Sequence, residues 1–213
     1  MEKLINQLID QKYLKSPLII EAFRKIRRAD FVPTEIKQVK GEDFINNYNA
    51  PLSIGYEQTI SQPLTVAFML ELLQPKKGDK ILDIGSGSGW QTAILADIVG
   101  ERGFIYAIER IRELKEFGQR NVNKYKFKNV EFICGDGSVG LPDQAPFDKI
   151  IAAAAAGQIP EVWKKQLKVG GRLVTPVNNS IWLLVKKGEK EFEQKEYPGF
   201  SFVPLVKEHE NSK

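Results

Sequence analysis

Three glycines at alternate positions, Gly85, Gly87 and Gly89, follow the run Lys80 to Ile84, which carries an aspartate, Asp83, near its end. Glycine lets a main chain turn sharply and lets a ligand approach it closely, so this pattern describes a loop that cradles a small molecule. A carboxylate beside the loop tolerates a ligand with a free amine and repels a pyrophosphate by like charge. The dinucleotide fingerprint also needs glycine at the sixth position of the loop pattern, and that position is Trp90. A dinucleotide fold stays open as the competing reading. Glu109 lies about 24 residues past Gly85, near the ~20-residue distance at which an acid binds ribose hydroxyls in a doubly wound sheet. A carboxylate suits that task because it offers several acceptor sites to neighbouring O–H donors; the alternative is a surface acid. Asp136 stands between Gly135 and Gly137, either as a turn residue or as a carboxylate brought to the edge of an adenine. Thr59 and Ser61 precede Pro63, where hydroxyls either cap a helix or point into a pocket.

His209, in the C-terminal tail, is the sole histidine, and Cys134 the sole cysteine. A Ser-His-Asp triad and the usual general base are thereby excluded, as are an internal disulfide and a cysteine or histidine metal cluster; no metal is expected. The pattern Asp-x-Gly-x-Gly-x-Gly at 83 to 89 resembles the first motif of S-adenosylmethionine-dependent methyltransferases. Methylation of a neutral hydroxyl or amine commonly needs a proton remover. A carboxylate acceptor does not, because with a pKa of about 4 it is already ionised at neutral pH. The protein then has to hold it in line and exclude water, and one hydroxyl donor is enough to hold it. Cytosine C5 chemistry, which uses a cysteine nucleophile typically after proline, is disfavoured: Cys134 follows Ile133 and reads as a buried apolar residue. The Asp/Asn-Pro-Pro-Tyr signature of exocyclic-amine methylases is absent.

The elements that must position these groups follow from periodicity. Lys80–Ile84 reads as a buried parallel strand, and Trp90–Val99 as a helix closed by Gly100. Phe104–Ile108, Val130–Cys134, Phe147–Ala152 and Arg172–Val177 read as further strands, with helices at Arg112–Lys124 and Pro160–Leu167 between them. Asn178-Asn179 reads as a turn into a strand at Ile181–Val185, and 192–206 as one more extended segment. Ahead of the sheet, apolar residues at helical spacing predict helices over 2–14 and 17–28, with Ser16-Pro17 as a helix start, and another over Thr65–Leu73. Residues 34–56 read as irregular chain, either covering the pocket or serving as a linker. Ala153 to Ala156 either leaves room for a substrate main chain at the carboxyl edge of the sheet or starts a helix.

This alternation predicts an α/β fold with a parallel sheet and helices on both faces. Together with the motif at 83 to 89, whose resemblance implies the S-adenosylmethionine-dependent methyltransferase (Rossmann-like) type, the expectation is a doubly wound, mostly parallel sheet with an N-terminal helical extension and a C-terminal antiparallel strand pair. One domain is expected over 1–213: N-terminal helices and covering segment at 1–56, cofactor-binding core at 57–177, C-terminal strands at 178–206 and a polar tail at 207–213. The chain of 213 residues has 42% hydrophobic and 27% charged residues and a net charge of +4, an ordinary soluble balance. It has no apolar run of membrane-spanning length and no signal-peptide core after Met1-Glu2-Lys3, so a cytoplasmic protein with no membrane partner is expected. The basic clusters Arg24–Arg28 and Lys124–Lys128 read as solvated surface rather than a nucleic-acid footprint, and no nucleic-acid partner is expected.

Taken together, the motifs resemble the protein-L-isoaspartate O-methyltransferase family. The resemblance runs from Ala29-Asp30-Phe31-Val32-Pro33 to Phe202-Val203-Pro204-Leu205 and is most specific at Gln58-Thr59-Ile60-Ser61-Gln62-Pro63. It is joined by Ile81–Ala96, Ala107-Ile108-Glu109-Arg110-Ile111, Gly135-Asp136-Gly137, Ala145-Pro146-Phe147-Asp148 and Gln166–Gly171. It implies methyl transfer from S-adenosyl-L-methionine, leaving S-adenosyl-L-homocysteine, to the free α-carboxylate of L-isoaspartyl residues in damaged proteins and peptides. The ester is then displaced by the next backbone nitrogen, giving a succinimide that hydrolyses partly to aspartate. By the same resemblance Ser61 is the active-site hydroxyl, with Thr59, Ile60 and Gln62 lining the cofactor and substrate side. Asp83, Gly85 and Ser86 hold the methionine part, Glu109 the ribose, and Asp136 and Gly137 the adenine, with Gly87 and Arg110 also binding the cofactor. Ala153, Ala154, Val203 and Leu205 frame the substrate peptide. A monomer is expected. The alternative on the same scaffold is a methyltransferase for RNA or a small molecule. Two positions depart from the family pattern: Glu57 stands where glycine is common, and Ala153–Ala156 lacks a frequent threonine.

Overall fold

The computed structural model describes residues 1–206; the predicted tail at 207–213, with His209, lies outside them. Its centre is a seven-stranded sheet in the order β5-β4-β3-β6-β7-β8-β9, where β3 is Lys80–Ile84, β4 Phe104–Glu109, β5 Val130–Cys134, β6 Phe147–Ala152, β7 Leu167–Val177, β8 Ser180–Lys186 and β9 Phe192–Pro198. β5, β4, β3, β6 and β7 run parallel, and β8 and β9 are antiparallel to their neighbours. β3 and β6 are buried along nearly their whole length, which accounts for their unbroken apolar character. The chain leaves β3 toward β4 on one side and returns to β6 on the other, so the topological switch falls between β3 and β6. Ligands bind there, at the carboxyl ends of the strands.

The predicted strands at 80, 104, 130 and 147 are present. The strand expected at 172–177 begins earlier, at Leu167, directly after helix α8 (Glu161–Gln166): the pairing of β6 with β7 shifts register between Phe147 and Lys149, and that irregularity absorbs Gly170-Gly171. The extended segment expected over 192–206 pairs only as far as Pro198. At Pro204 it forms an isolated parallel bridge to Ala155, beyond the end of β6 and outside the sheet.

Helices α1 (Glu2–Asp10) and α2 (Pro17–Lys25) are shorter than predicted and bury one face each, Leu4, Ile5 and Leu8 in the first and Ile19, Ala22 and Phe23 in the second. α5 (Pro63–Leu73) packs on β6, β7 and β8, α6 (Trp90–Val99) on β4 and α2, and α7 (Arg112–Asn123) on β4 and β5. α6 is buried nearly all round because it lies between the sheet and α2, and its Trp90 ring meets Phe23 edge-on at 5.5 Å. Residues 34–56 are not irregular: they form α3 (Thr34–Lys40), α4 (Glu42–Asn47) and strand β1 (Leu52–Gly55), which pairs with β2 (Gln58–Ile60). The β1–β2 turn places Tyr56 and Glu57 at φ 53° and 56°. Positive φ at both turn positions marks the tight hairpin turn that favours glycine, a conformational reason for the glycine that the resemblance leads one to expect at position 57. Glu57 itself is exposed.

Candidate active site

The carboxyl ends of β3, β4, β5 and β6 open into a cavity of about 860 Å³, roofed by the β1–β2 hairpin and by residues 197–206. That volume lies within the ~300–1,000 Å³ of small-molecule sites. Ser61, Thr59, Ile60 and Gln62 line it from the hairpin side, Gly85, Ser86 and Gly87 from the glycine loop, and Glu109 and Arg110 from the end of β4. Gly137, Ala153, Ala154, Val203 and Leu205 line it as well.

The loop is held in shape from three directions. Gly85, Gly87 and Gly89 all take positive φ, 75°, 49° and 82°, a region that side chains other than glycine enter at a cost. Gly85 and Ser86 N–H donate to the Ile108 carbonyl at 2.8 and 3.1 Å, tying the loop to β4. Glu109 Oε2 accepts from Gly87 N–H at 3.0 Å, and its Oε1 from Ile111 N–H at 3.0 Å. From α7, Asn121 Nδ2 donates to the Ser88 carbonyl at 3.1 Å, and Gly118 lets the helix backbone sit against the loop. Neither Gly118 nor Asn121 belongs to a motif; the signal the sequence offers is a glycine placed mid-helix, where it is unfavourable by ~1 kcal/mol.

Asp83 and Asp136 do not line the cavity. Asp83 is fully buried behind the loop and binds α6 instead: Thr92 Oγ1 donates to Oδ2 at 2.6 Å and Gln91 Nε2 to Oδ1 at 2.8 Å. Burial pushes its carboxyl up to about 6, against those two hydrogen bonds, and the nearby Glu109 charge pushes the same way. Asp136 Oδ1 accepts from Ser138 N–H at 2.8 Å, the behaviour of a turn residue, and its neighbours Gly135 and Gly137 face the cavity.

The capping role read for Thr59 and Ser61 falls to another residue. The α5 N-terminus is satisfied by Asn49, whose Oδ1 accepts from Leu64 N–H at 3.0 Å and whose carbonyl accepts from Gln62 Nε2 at 3.0 Å. The alanine run is not a helix. It threads between elements: Ala153 N–H donates to Ile84 at 2.9 Å, Ala155 N–H to Val203 at 2.8 Å, and Leu205 N–H back to Ala155 at 2.7 Å. The backbone of the rim segment 203–205 thus lies directly against the alanine main chain.

The lining suits a ligand with a positive centre and several hydroxyls. Ser86 Oγ is buried at the loop with no hydrogen-bond partner in the described chain. Glu109 is 7% exposed and has acceptor capacity beyond its two backbone bonds. Two acids at the loop disfavour a pyrophosphate.

A profile of the family described as protein-L-isoaspartate(D-aspartate) O-methyltransferase matches residues 1–210. The chain belongs to the protein-L-isoaspartate(D-aspartate) O-methyltransferase family. Relatives named protein-L-isoaspartate O-methyltransferase include one from Ignicoccus hospitalis, 42% identical with 97% of each chain covered, and one from Fervidobacterium nodosum, 43% identical over 92% of this chain and 96% of the relative. A solved structure of that name, 30% identical, superposes with a TM-score of 0.84 over 96% of this chain and 65% of the other. A Plasmodium falciparum protein in complex with S-adenosyl-L-homocysteine, 21% identical, shares the fold with a TM-score of 0.83 over 96% and 97% of the two chains. Among the described residues no group of three or more His, Cys, Asp or Glu side chains could hold a metal ion, and no helix is long and apolar enough to cross a membrane.

Proposed function

We propose that this protein methylates the free α-carboxylate of L-isoaspartyl residues in damaged proteins and peptides, using S-adenosyl-L-methionine and releasing S-adenosyl-L-homocysteine. The observation that carries this reading is the convergence of the Gln58–Gln62 segment, with Ser61, on the same cavity as the glycine loop and Glu109. When bound, S-adenosyl-L-methionine supplies an electrophilic methyl group on a positively charged sulfur.

The chain's own residues bind, orient and shield. Glu109, fixed by Gly87 and Ile111 N–H, keeps lone pairs for ribose hydroxyls. Ser86 Oγ and the loop main chain receive the amino-acid end, and Gly137 leaves a flat surface for the adenine. Ser61 donates a hydrogen bond to the acceptor carboxylate and fixes which oxygen faces the methyl group. No residue has to remove a proton, since the acceptor is ionised well below neutral pH; orientation and exclusion of water are the protein's contribution. The rim segment at Val203–Leu205, pinned to the alanine run, and Ala153–Ala154 leave a shallow path for the peptide main chain. The product ester has a better leaving group than a carboxylate: the following backbone nitrogen attacks its carbonyl, the C–OCH3 bond breaks and methanol leaves with the amide proton, and the resulting succinimide is opened by water partly to normal aspartate.

The bond formed tests the reading. Labelled methyl groups transferred by this protein are expected on protein or peptide and released as methanol by mild base, as esters are. Label found in base-stable form on RNA or a small molecule would refute it.

A further inference from the structure

Arg28 belongs to the basic cluster read as solvated surface. Three of its neighbours do face outward and pair with acids, Arg24 with Glu2, Lys25 with Asp97 and Arg27 with Glu42. Arg28 turns inward and is 0% exposed. Charged side chains are almost never so deeply buried without a partner of opposite sign, and no ion pair of Arg28 is found among the described residues. Backbone carbonyls converge on it instead. Its Nη1 donates to Tyr48 at 2.7 Å and Ile45 at 3.4 Å; its Nη2 donates to Ala50 at 2.7 Å, Ser61 at 3.1 Å and Ile60 at 3.4 Å. The guanidinium carbon lies 5.6 Å from the centroid of the Trp90 ring, at the first residue of α6.

Two consequences follow. The fork ties the main chain at Ser61 to the covering segment 45–50, so the position of the Ser61 hydroxyl depends on it. Neutral carbonyls also leave the positive charge uncancelled, and in a low-dielectric interior such a charge acts at a distance. The other half of the cavity carries Glu109 on its wall and Asp83 behind it, and both repel an incoming carboxylate. We propose that Arg28 is the positioning residue of the acceptor half of the site: it fixes Ser61 through its main-chain carbonyl and sets a positive charge behind Ser61, so that an anionic acceptor is favoured there. This rests on the methyl-transfer reading above.

The test compares Arg28→Met and Arg28→Lys with the wild type. Peptide KM and kcat are measured on an isoaspartyl peptide at saturating S-adenosyl-L-methionine, and S-adenosyl-L-homocysteine affinity by calorimetry. Arg28→Met is expected to raise peptide KM by roughly tenfold or more, the scale of a lost interaction with a charged group, while product affinity stays within about twofold. Arg28→Lys, which keeps the charge and loses the planar fork, is expected to restore most of the KM but not the kcat. A packing role alone would leave lysine no better than methionine and would weaken both ligands together; that result overturns the proposal. So does an Arg28→Met peptide KM within about twofold of wild type, or failure of both variants to fold. An inactive wild type is a separate outcome: it removes the methyl-transfer reading, and this inference with it.

Discussion

Gly118 of α7 packs so closely on the glycine loop that a Cβ placed on it would lie 2.6 Å from the Gly87 carbonyl oxygen and 3.2 Å from the Gly89 nitrogen. The neighbour is backbone on both counts, so no side chain can rotate to make room. Alanine is the better helix former by ~1 kcal/mol, yet Gly118→Ala is expected to displace the loop and lower S-adenosyl-L-homocysteine affinity by about tenfold, the effect of ~1.4 kcal/mol. Calorimetry reads this directly. A variant that is more stable and binds as before would show that the loop yields freely.

Ser61→Ala should separate binding from transfer. The hydroxyl is assigned to the acceptor, not to the cofactor, so S-adenosyl-L-homocysteine affinity is expected to stay unchanged. Losing a hydrogen bond to a charged group costs about 1.5–3 kcal/mol, or roughly 10–150-fold in rate. An unaltered rate on an isoaspartyl peptide would remove Ser61 from this role.

Asp83 makes stability depend on pH. Its folded carboxyl is pushed up to about 6 by burial, above an unfolded value near 3.9. Between the two values the folded chain holds a proton that the unfolded chain releases, so stability from this group falls as pH rises through that window. The difference is on the order of 3 kcal/mol at neutral pH. Asp83→Asn keeps an acceptor for Gln91, and the Thr92 hydroxyl can turn to accept from the new amide. The variant is expected to flatten the change in unfolding free energy between about pH 4 and 7, measured by urea titration at each pH. A wild-type slope retained in the variant would place the titrating group elsewhere.

Much of the site was legible in the chain because local rules govern it. Branched apolar runs gave β3, β4, β5 and β6, and the glycine spacing with Trp90 at its end gave the loop and the start of α6. The distance from Gly85 to Glu109 placed an acid at the next strand end, where it lines the cavity. What was hidden depends on partners distant in sequence. Arg28 sits among four other residues of a basic cluster, and its burial becomes visible only once carbonyls from residues 45–61 are brought around it. Asn49 caps α5 from outside the helix, and its contact with Leu64 spans the β1–β2 hairpin, whose turn residues Tyr56 and Glu57 are not the glycine or asparagine that signals such a turn. The apolar run puts Asp83 on β3, but the direction its carboxylate takes is fixed by Gln91 and Thr92 on α6.

The most direct test of the account is a pair of peptides identical except for one linkage, isoaspartyl in one and aspartyl in the other, each incubated with the protein and labelled S-adenosyl-L-methionine. A cavity that presents Ser61 to a main-chain carboxylate is expected to methylate the isoaspartyl peptide, with base-labile label, and to leave the aspartyl peptide at background. Equal labelling of both peptides, or none of either, would contradict it.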